Sequence, residues 1–298
     1  MGQVLGLMFA LIGLGFLLRI LRVFPKETAP LLNRFVLYVT FPCLVFRSLQ
    51  GAALDRRLWS IPPLAYTAIS ALFLLAFLIG SKYFRLPPKR AVSFAMGAAF
   101  GNTAFLGYPF ILALLGEEGL PAAIFYDQLG NFLSVYTLGV TFCVFGKTGK
   151  FSGKNVTEFL KLPPFNAFLL ALLLNGLPLP PFLLGVINRL ADATVPLTMV
   201  AIGLSLSPAS LSKDAPLLGV SALLKLLLLP LVALGLVKLF PLPPLYAKVL
   251  VLQSATPTLV SSYVFASVYE LDTELSSSII CATTLIALGS LPLWNLLL

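Results

Sequence analysis

Asn102 and Thr103 stand inside an apolar run long enough to cross a bilayer, in the stretch Gly101-Asn102-Thr103-Ala104-Phe105-Leu106-Gly107-Tyr108-Pro109-Phe110. Gln253-Ser254-Ala255-Thr256-Pro257-Thr258 repeats the device near the other end of the chain. Polar side chains, glycines and a proline are the residues least suited to an unbroken membrane helix. Pro109 has no N–H, and its ring displaces the carbonyl of Phe105 four residues earlier. Hydrocarbon tolerates freed main-chain groups only where protein or a water-filled cavity satisfies them. Each interruption leaves two half-helix ends. The N–H end carries partial positive charge and favours an anion, whereas the carbonyl end favours a cation. Two such interruptions in corresponding halves point to a binding site near the bilayer midplane. Its candidate residues are Asn102, Thr103, Gly107 and Pro109 from the first stretch. The second supplies Gln253, Ser254, Thr256, Pro257 and Thr258, with Ser261 and Ser262 beyond.

Two ionisable residues sit where lipid would penalise them. Asp127 lies in an apolar segment with Asn131 and Ser134 on the same helical face, and Lys225 lies in a leucine-rich one. A charge at the bilayer centre costs about 2.5–3.5 kcal/mol on insertion scales, so both should face protein or water. One expectation is that they pair and exchange a proton. At about 1.5 Å rise per residue, Asp127 lies roughly 9 Å from its outer span end and Lys225 roughly 19 Å from its own. Lysine's reach covers part of that gap. A snorkelling or structural lysine and a surface-near aspartate form the plainer reading. A sodium ion is the other coupling candidate, held by oxygens around Asn102, Gln253 and Ser254.

Other chemistry is set aside. The chain has no histidine, which removes His-based triads, His-ligated metal sites and imidazole shuttles. Cys43, Cys143 and Cys281 lie far apart in apolar segments without metal-ligand spacing, and read as small hydrophobes. Gly146-Lys147-Thr148 resembles the tail of a phosphate-binding loop, but residue 141 is threonine where glycine is required. Neither a cofactor nor a resident metal is expected. Asn155-Val156-Thr157 matches a glycosylation sequon on what the topology makes a cytoplasmic loop. Gly97 and Gly101 read as close helix packing, and Trp59 and Trp294 as interface anchors.

The elements that carry these residues follow from composition. Of 298 residues, 59% are hydrophobic and 10% charged, with mean hydropathy +0.99, against about 25% charged residues in a soluble domain. This is an all-α polytopic membrane protein, with the lipid bilayer as its surroundings. Ten spans are expected, at 2–22, 30–49, 59–81, 91–115, 121–145, 164–178, 184–206, 215–238, 245–269 and 273–297, the first of them uncleaved. The sixth is short and flanked by prolines. The net charge of +9 reads as topology rather than nucleic-acid binding, because the cations cluster beside spans. Thirteen Lys and Arg fall on the odd-numbered connections, Lys26, Lys154 and Lys213 among them, against six on the even-numbered ones. The odd connections are therefore cytoplasmic and both termini outside. The connection after span 9 is an exception, with Glu270, Asp272 and Glu274 and no cation.

Five spans per half make the second half enter the membrane inverted. Thr40-Phe41-Pro42 matches Thr194-Val195-Pro196, Pro63 matches Pro216, and Pro109 matches Pro257, at offsets of 154, 153 and 148 residues. The expected layout is a first repeat at 1–146, a cytoplasmic connection at 147–163 and a second, inverted repeat at 164–298.

The Gly101–Phe110 stretch resembles the Gly-Asn-Thr-Gly-Phe-Leu-Gly-x-Pro motif of the auxin efflux carrier family, which includes bacterial organic-acid permeases and plant PIN exporters. The Pro257 stretch, with Tyr263-Val264-Phe265-Ala266 after it, is similar to the family's second interruption. The likeness covers nearly the whole chain. It implies ten helices in two inverted five-helix repeats, with broken helices 4 and 9 crossing, as in bile-acid symporters and sodium–proton antiporters. Helices 1, 2, 6 and 7 would form a scaffold, and helices 3–5 and 8–10 a transport domain moving like an elevator. The resemblance also raises a homodimer. The plant members' long central loop is absent, which argues against auxin as the natural substrate. The expected activity is secondary transport of a small organic anion, a carboxylate, across the cytoplasmic membrane, coupled to a proton or sodium. A sodium-coupled carrier of the bile-acid type, a passive channel on the same helices and an intramembrane enzyme are the alternatives.

Overall fold

The computed structural model describes residues 2–25, 27–152, 156–206 and 214–298. Lys26, Lys154, Lys213 and the sequon's Asn155 lie outside the described residues. Helices account for the architecture: α1 (Gly2–Ile20), α2 (Thr28–Leu49), α3 (Arg56–Tyr83), α4 (Pro88–Ala99), α5 (Thr103–Leu115) and α6 (Glu117–Thr148), then α7 (Pro163–Leu173), α8 (Pro181–Ser205), α9 (Ala215–Leu239), α10 (Pro244–Ser254), α11 (Ser261–Val268) and α12 (Thr273–Leu297). Among the described residues, α2, α3, α6, α8, α9 and α12 are the six helices long and apolar enough to cross a membrane. The segment expected as the sixth span is 11 helical residues, α7, about half the roughly 20 that a bilayer requires.

Proline acts differently here from the expectation. At Pro42, Pro109 and Pro230 the helix continues, and in each case a wider π-type stretch ends two residues earlier, at Thr40, Gly107 and Leu228. The extra residue per turn makes room for the ring and lets later N–H groups reach back five residues rather than four. Pro230 still deprives the Leu226 carbonyl of its usual partner. The indole N–H of Trp294 supplies one, donating to Leu226 O at 2.9 Å. Trp294 is therefore buried and structural, which corrects its reading as an interface anchor. Trp59, by contrast, is 54% exposed.

The chain divides into two compact units. The first comprises Met1–Asp55, Tyr108–Ile124 and Leu160–Leu206. In it α1 packs along α8 through glycine: a Cβ on Gly203 would lie 2.7 Å from Phe16 N, and one on Gly15 would strike the Val200 carbonyl. Only bare backbone permits that approach. At the other end of α2, Asn175 donates to the carbonyls of Leu49 (2.6 Å) and Ala52 (3.1 Å), tying the turn after α7 to the end of α2. Arg47 bonds Asp192 at 2.5 Å.

The second unit comprises Arg56–Gly107, Phe125–Phe159 and Ser207–Leu298. Its core is apolar and aromatic: Phe73 stacks on Phe100, and Ile279 of α12 fills the space beside Gly97, in keeping with the packing role expected of that glycine. Arg90 at the start of α4 meets both Asp214 and Asp272, whose carboxylate also caps α12 by accepting from Leu275 N at 2.8 Å. Lys147 at the end of α6 bonds Glu270 at 2.8 Å and holds that carboxylate below its ordinary range. The acidic connection before α12 thus lies with the basic ends of α4 and α6. Its charges neutralise theirs.

The glycine contact in the first unit is directly testable. Gly203→Ala places a methyl into backbone and should cost about 1–3 kcal/mol, the range of core overpacking. Thermal unfolding in detergent should show a clear fall, with Gly185→Ala, which has open space around it, unchanged.

Candidate functional site

Both interruptions are real, and they meet. α4 stops at Ala99, and Phe100 turns extended, with φ −81° and ψ 132°. The helix restarts at Thr103. The break therefore lies at residues 100–102, seven residues or more ahead of Pro109, which sits inside the second half-helix. In the later segment α10 stops at Ser254 and α11 starts at Ser261, so Pro257 lies within the break itself.

Main-chain groups released by one break are taken up by the other. Asn102 N donates to Pro257 O at 2.7 Å, and Leu259 N donates to Phe100 O at 2.9 Å, making an antiparallel bridge of Gly101 with Thr258. Side chains complete the junction. Thr258 Oγ1 donates to Gly97 O at 2.5 Å, and Thr283 Oγ1 accepts from Thr258 N at 3.1 Å. Asn131 clasps Gly101 at both ends, accepting from its N–H at 3.2 Å and donating to its carbonyl at 2.9 Å. Thr256 Oγ1 turns back onto Gln253 O at 2.7 Å. Each bond satisfies a group that would cost about 1–3 kcal/mol if buried alone.

The charged residues flank this junction. Thr103 Oγ1 donates to the Asp127 carboxylate, which also accepts from Gln128 Nε2 at 2.8 Å. Lys225 Nζ donates to Ser254 O at 2.7 Å. Asp127 and Lys225 are both at 0% exposure, which removes the snorkelling reading. Lys225's hydrogen bond goes to a main-chain carbonyl, not to the Asp127 carboxylate. The two charges instead stand at opposite parts of the same Gly101–Thr103 segment. Asp127 and Asn131 belong to one π-type stretch (Tyr126–Asn131), and Lys225 to another (Leu224–Leu228). Such stretches often mark functional positions.

Asn102 and Gln253 are the exceptions to this pairing. Their side chains are 1% and 0% exposed, and neither amide oxygen nor amide nitrogen of either has a partner. The Gln253 amide rests against Gly107, where any Cβ would overlap it, and the Gly107 N–H itself bonds Asn102 O at 3.0 Å. Gly107 is thus a cradle for the amide. Ser262 in the first turn of α11 and Ser221 one turn before Lys225 add two more buried hydroxyls without partners. Gly107 is among the candidates named from sequence, whereas Ser221 is not; its spacing of four residues before Lys225 was the available signal. Among the described residues no cluster of carboxylate and thiol ligands could hold a metal ion.

Asn131→Ala would strand two buried groups of Gly101, and should lower stability by about 2–5 kcal/mol. Asn131→Asp keeps the acceptor but sets a second buried carboxylate against the Gly101 carbonyl and near Asp127, and should cost at least as much. Unfolding of the two variants side by side checks the order.

The chain matches the family described as membrane transport protein over residues 1–295. An uncharacterised transporter of Methanocaldococcus jannaschii is 31% identical over 297 residues, covering 97% of this chain and 96% of the relative. One of Methanothermobacter thermautotrophicus is 34% identical over 292 residues, covering 97% and 95%. A Rhizobium meliloti protein named "Putative malonate transporter" is 26% identical over 309 residues, covering 97% and 94%. This multi-pass membrane chain belongs to the membrane transport protein family, the auxin efflux carrier family that its Gly101–Pro109 motif resembles.

Proposed function

We propose that this chain is a secondary carrier for a small organic anion, a carboxylate, bound where the two interrupted helices cross. The observation that carries the reading is the pair of wholly buried, unpartnered amides of Asn102 and Gln253, one from each interruption. Native interiors rarely leave such groups alone, and together they offer two NH2 donors and two carbonyl acceptors to a ligand. A carboxylate suits them, with the first-turn N–H groups of α5 and α11 adding positive potential. Malonate, in the Rhizobium meliloti relative's name, is a dicarboxylate and supports that class.

The mechanism is alternating access by elevator motion of two inverted five-span repeats. The second unit would carry the crossing and the first would serve as scaffold; the division of contacts supports this grouping, except that it assigns Tyr108–Ile124 to the first unit. Asp127, bonded to Thr103, is the group for proton coupling. The odd connections face the cytoplasm and the termini face outside.

In proteoliposomes containing purified protein, labelled malonate uptake should saturate and show counterflow. A channel would show neither. Asn102→Ala and Gln253→Ala should each lower uptake about 10- to 100-fold, the value of one or two lost hydrogen bonds, with unfolding temperature held. Asp127→Asn should abolish the response to an imposed pH gradient. In a cysteine-free background, Lys150→Cys should label only from the cytoplasm and Glu118→Cys only from outside.

A further inference from the structure

The amides account for the anion and leave Lys225 without a task. It is the eleventh residue of the 25-residue α9, about 15 Å along the helix from Ala215 and fully buried, so its ammonium has no route to the membrane surface. That placement requires a specific compensation. It comes from Ser254, the last residue of α10, whose carbonyl accepts from Nζ at 2.7 Å. The carbonyl end of a helix is where partners are missing and the dipole is negative. The ammonium also lies 3.4 Å from where a Cβ on Gly101 would stand, so it faces the first interruption as well.

In broken-helix carriers, unwound carbonyls and half-helix carbonyl ends are what coordinate a transported sodium ion. Here four of those oxygens, two from each interruption, are already engaged. Phe100 O accepts from Leu259 N, Gly101 O from Asn131, Gln253 O from Thr256, and Ser254 O from Lys225. The hydroxyl of Ser254 is engaged as well, by Tyr126 OH at 3.0 Å and Leu250 O at 2.8 Å.

We propose that the Lys225 ammonium is a resident cation at the carbonyl end of α10, standing where a transported sodium ion would bind, so that the carrier cycles without sodium. This inference rests on the carrier reading. The primary test needs no substrate: thermal unfolding of the purified full chain in sodium chloride and in potassium chloride at equal ionic strength. Wild type and Lys225→Arg should unfold at the same temperature in both salts. Lys225→Ala, with the Ser254 carbonyl uncovered, should gain a saturable stabilisation of about 2–4 °C in sodium alone. A sodium-specific rise in wild type, or a Lys225→Ala protein indifferent to sodium, overturns the proposal. Should Lys225→Ala fail to fold, the wild-type comparison decides, together with malonate uptake by wild type after sodium is replaced by potassium. Unchanged uptake supports the resident cation, and collapse of uptake refutes it. If malonate is not transported in either salt while the unfolding pattern holds, the carrier reading fails and the assignment of Lys225 stands.

Discussion

A main chain interrupted in the middle of an apolar protein must find partners for its N–H and C=O groups, and this requirement organises the second unit. The solution is reciprocal. Asn102 gives its N–H to Pro257, and Leu259 gives its own to Phe100, so that each break closes the other. Neither interruption is tenable alone. With each unsatisfied group worth about 1–3 kcal/mol, the two breaks are bound into one structural element, although some 150 residues separate them in sequence.

Around this junction the side chains act as main-chain substitutes. Asn131 binds Gly101 as a neighbouring strand would, donating and accepting at once, and Thr258 reaches Gly97 where a helical N–H would have reached. Trp294 does the same for the carbonyl that Pro230 leaves without its usual donor. Against that thorough satisfaction, the unpartnered amides of Asn102 and Gln253 mark the place where the protein keeps hydrogen-bonding capacity in reserve. The glycines at 101 and 107 serve this arrangement by absence of bulk. Thr256 Oγ1 lies 2.6 Å from a Cβ on the first, and the Gln253 amide occupies the space of a Cβ on the second.

Charge is handled with the same economy of contacts. Asp127 and Lys225 are both fully buried, yet each is engaged by the Gly101–Thr103 segment or its partner break. At the periphery of the second unit the rule is neutralisation: Arg90 with Asp214 and Asp272, Lys147 with Glu270. The acidic connection, anomalous when charges were counted loop by loop, is the counter-charge of two basic ones.

Much was legible from sequence because it depends on local composition. Apolar blocks marked the helices, polar and glycine-rich interruptions marked Asn102, Thr103, Gln253 and Thr258, and isolated charges in leucine-rich runs marked Asp127 and Lys225. These are statements about what hydrocarbon will not accept, and they hold wherever the segment ends up. Sequence misjudged how a proline is accommodated. Pro109 was read as the first break, but a wider π-type turn absorbs its ring, and the break falls at residues 100–102. Chain composition carries no such information, since a π-type turn and a break are alternatives chosen by what lies opposite. Partnership was decided in the same way. Only the folded chain selects Ser254 rather than Asp127 for Lys225, brings Trp294 inward to Leu226, and leaves two amides without a protein partner. Each of these outcomes depends on which distant group arrives within about 3 Å, and hydrogen bonds at that range are set by packing across the unit rather than by neighbours in the chain.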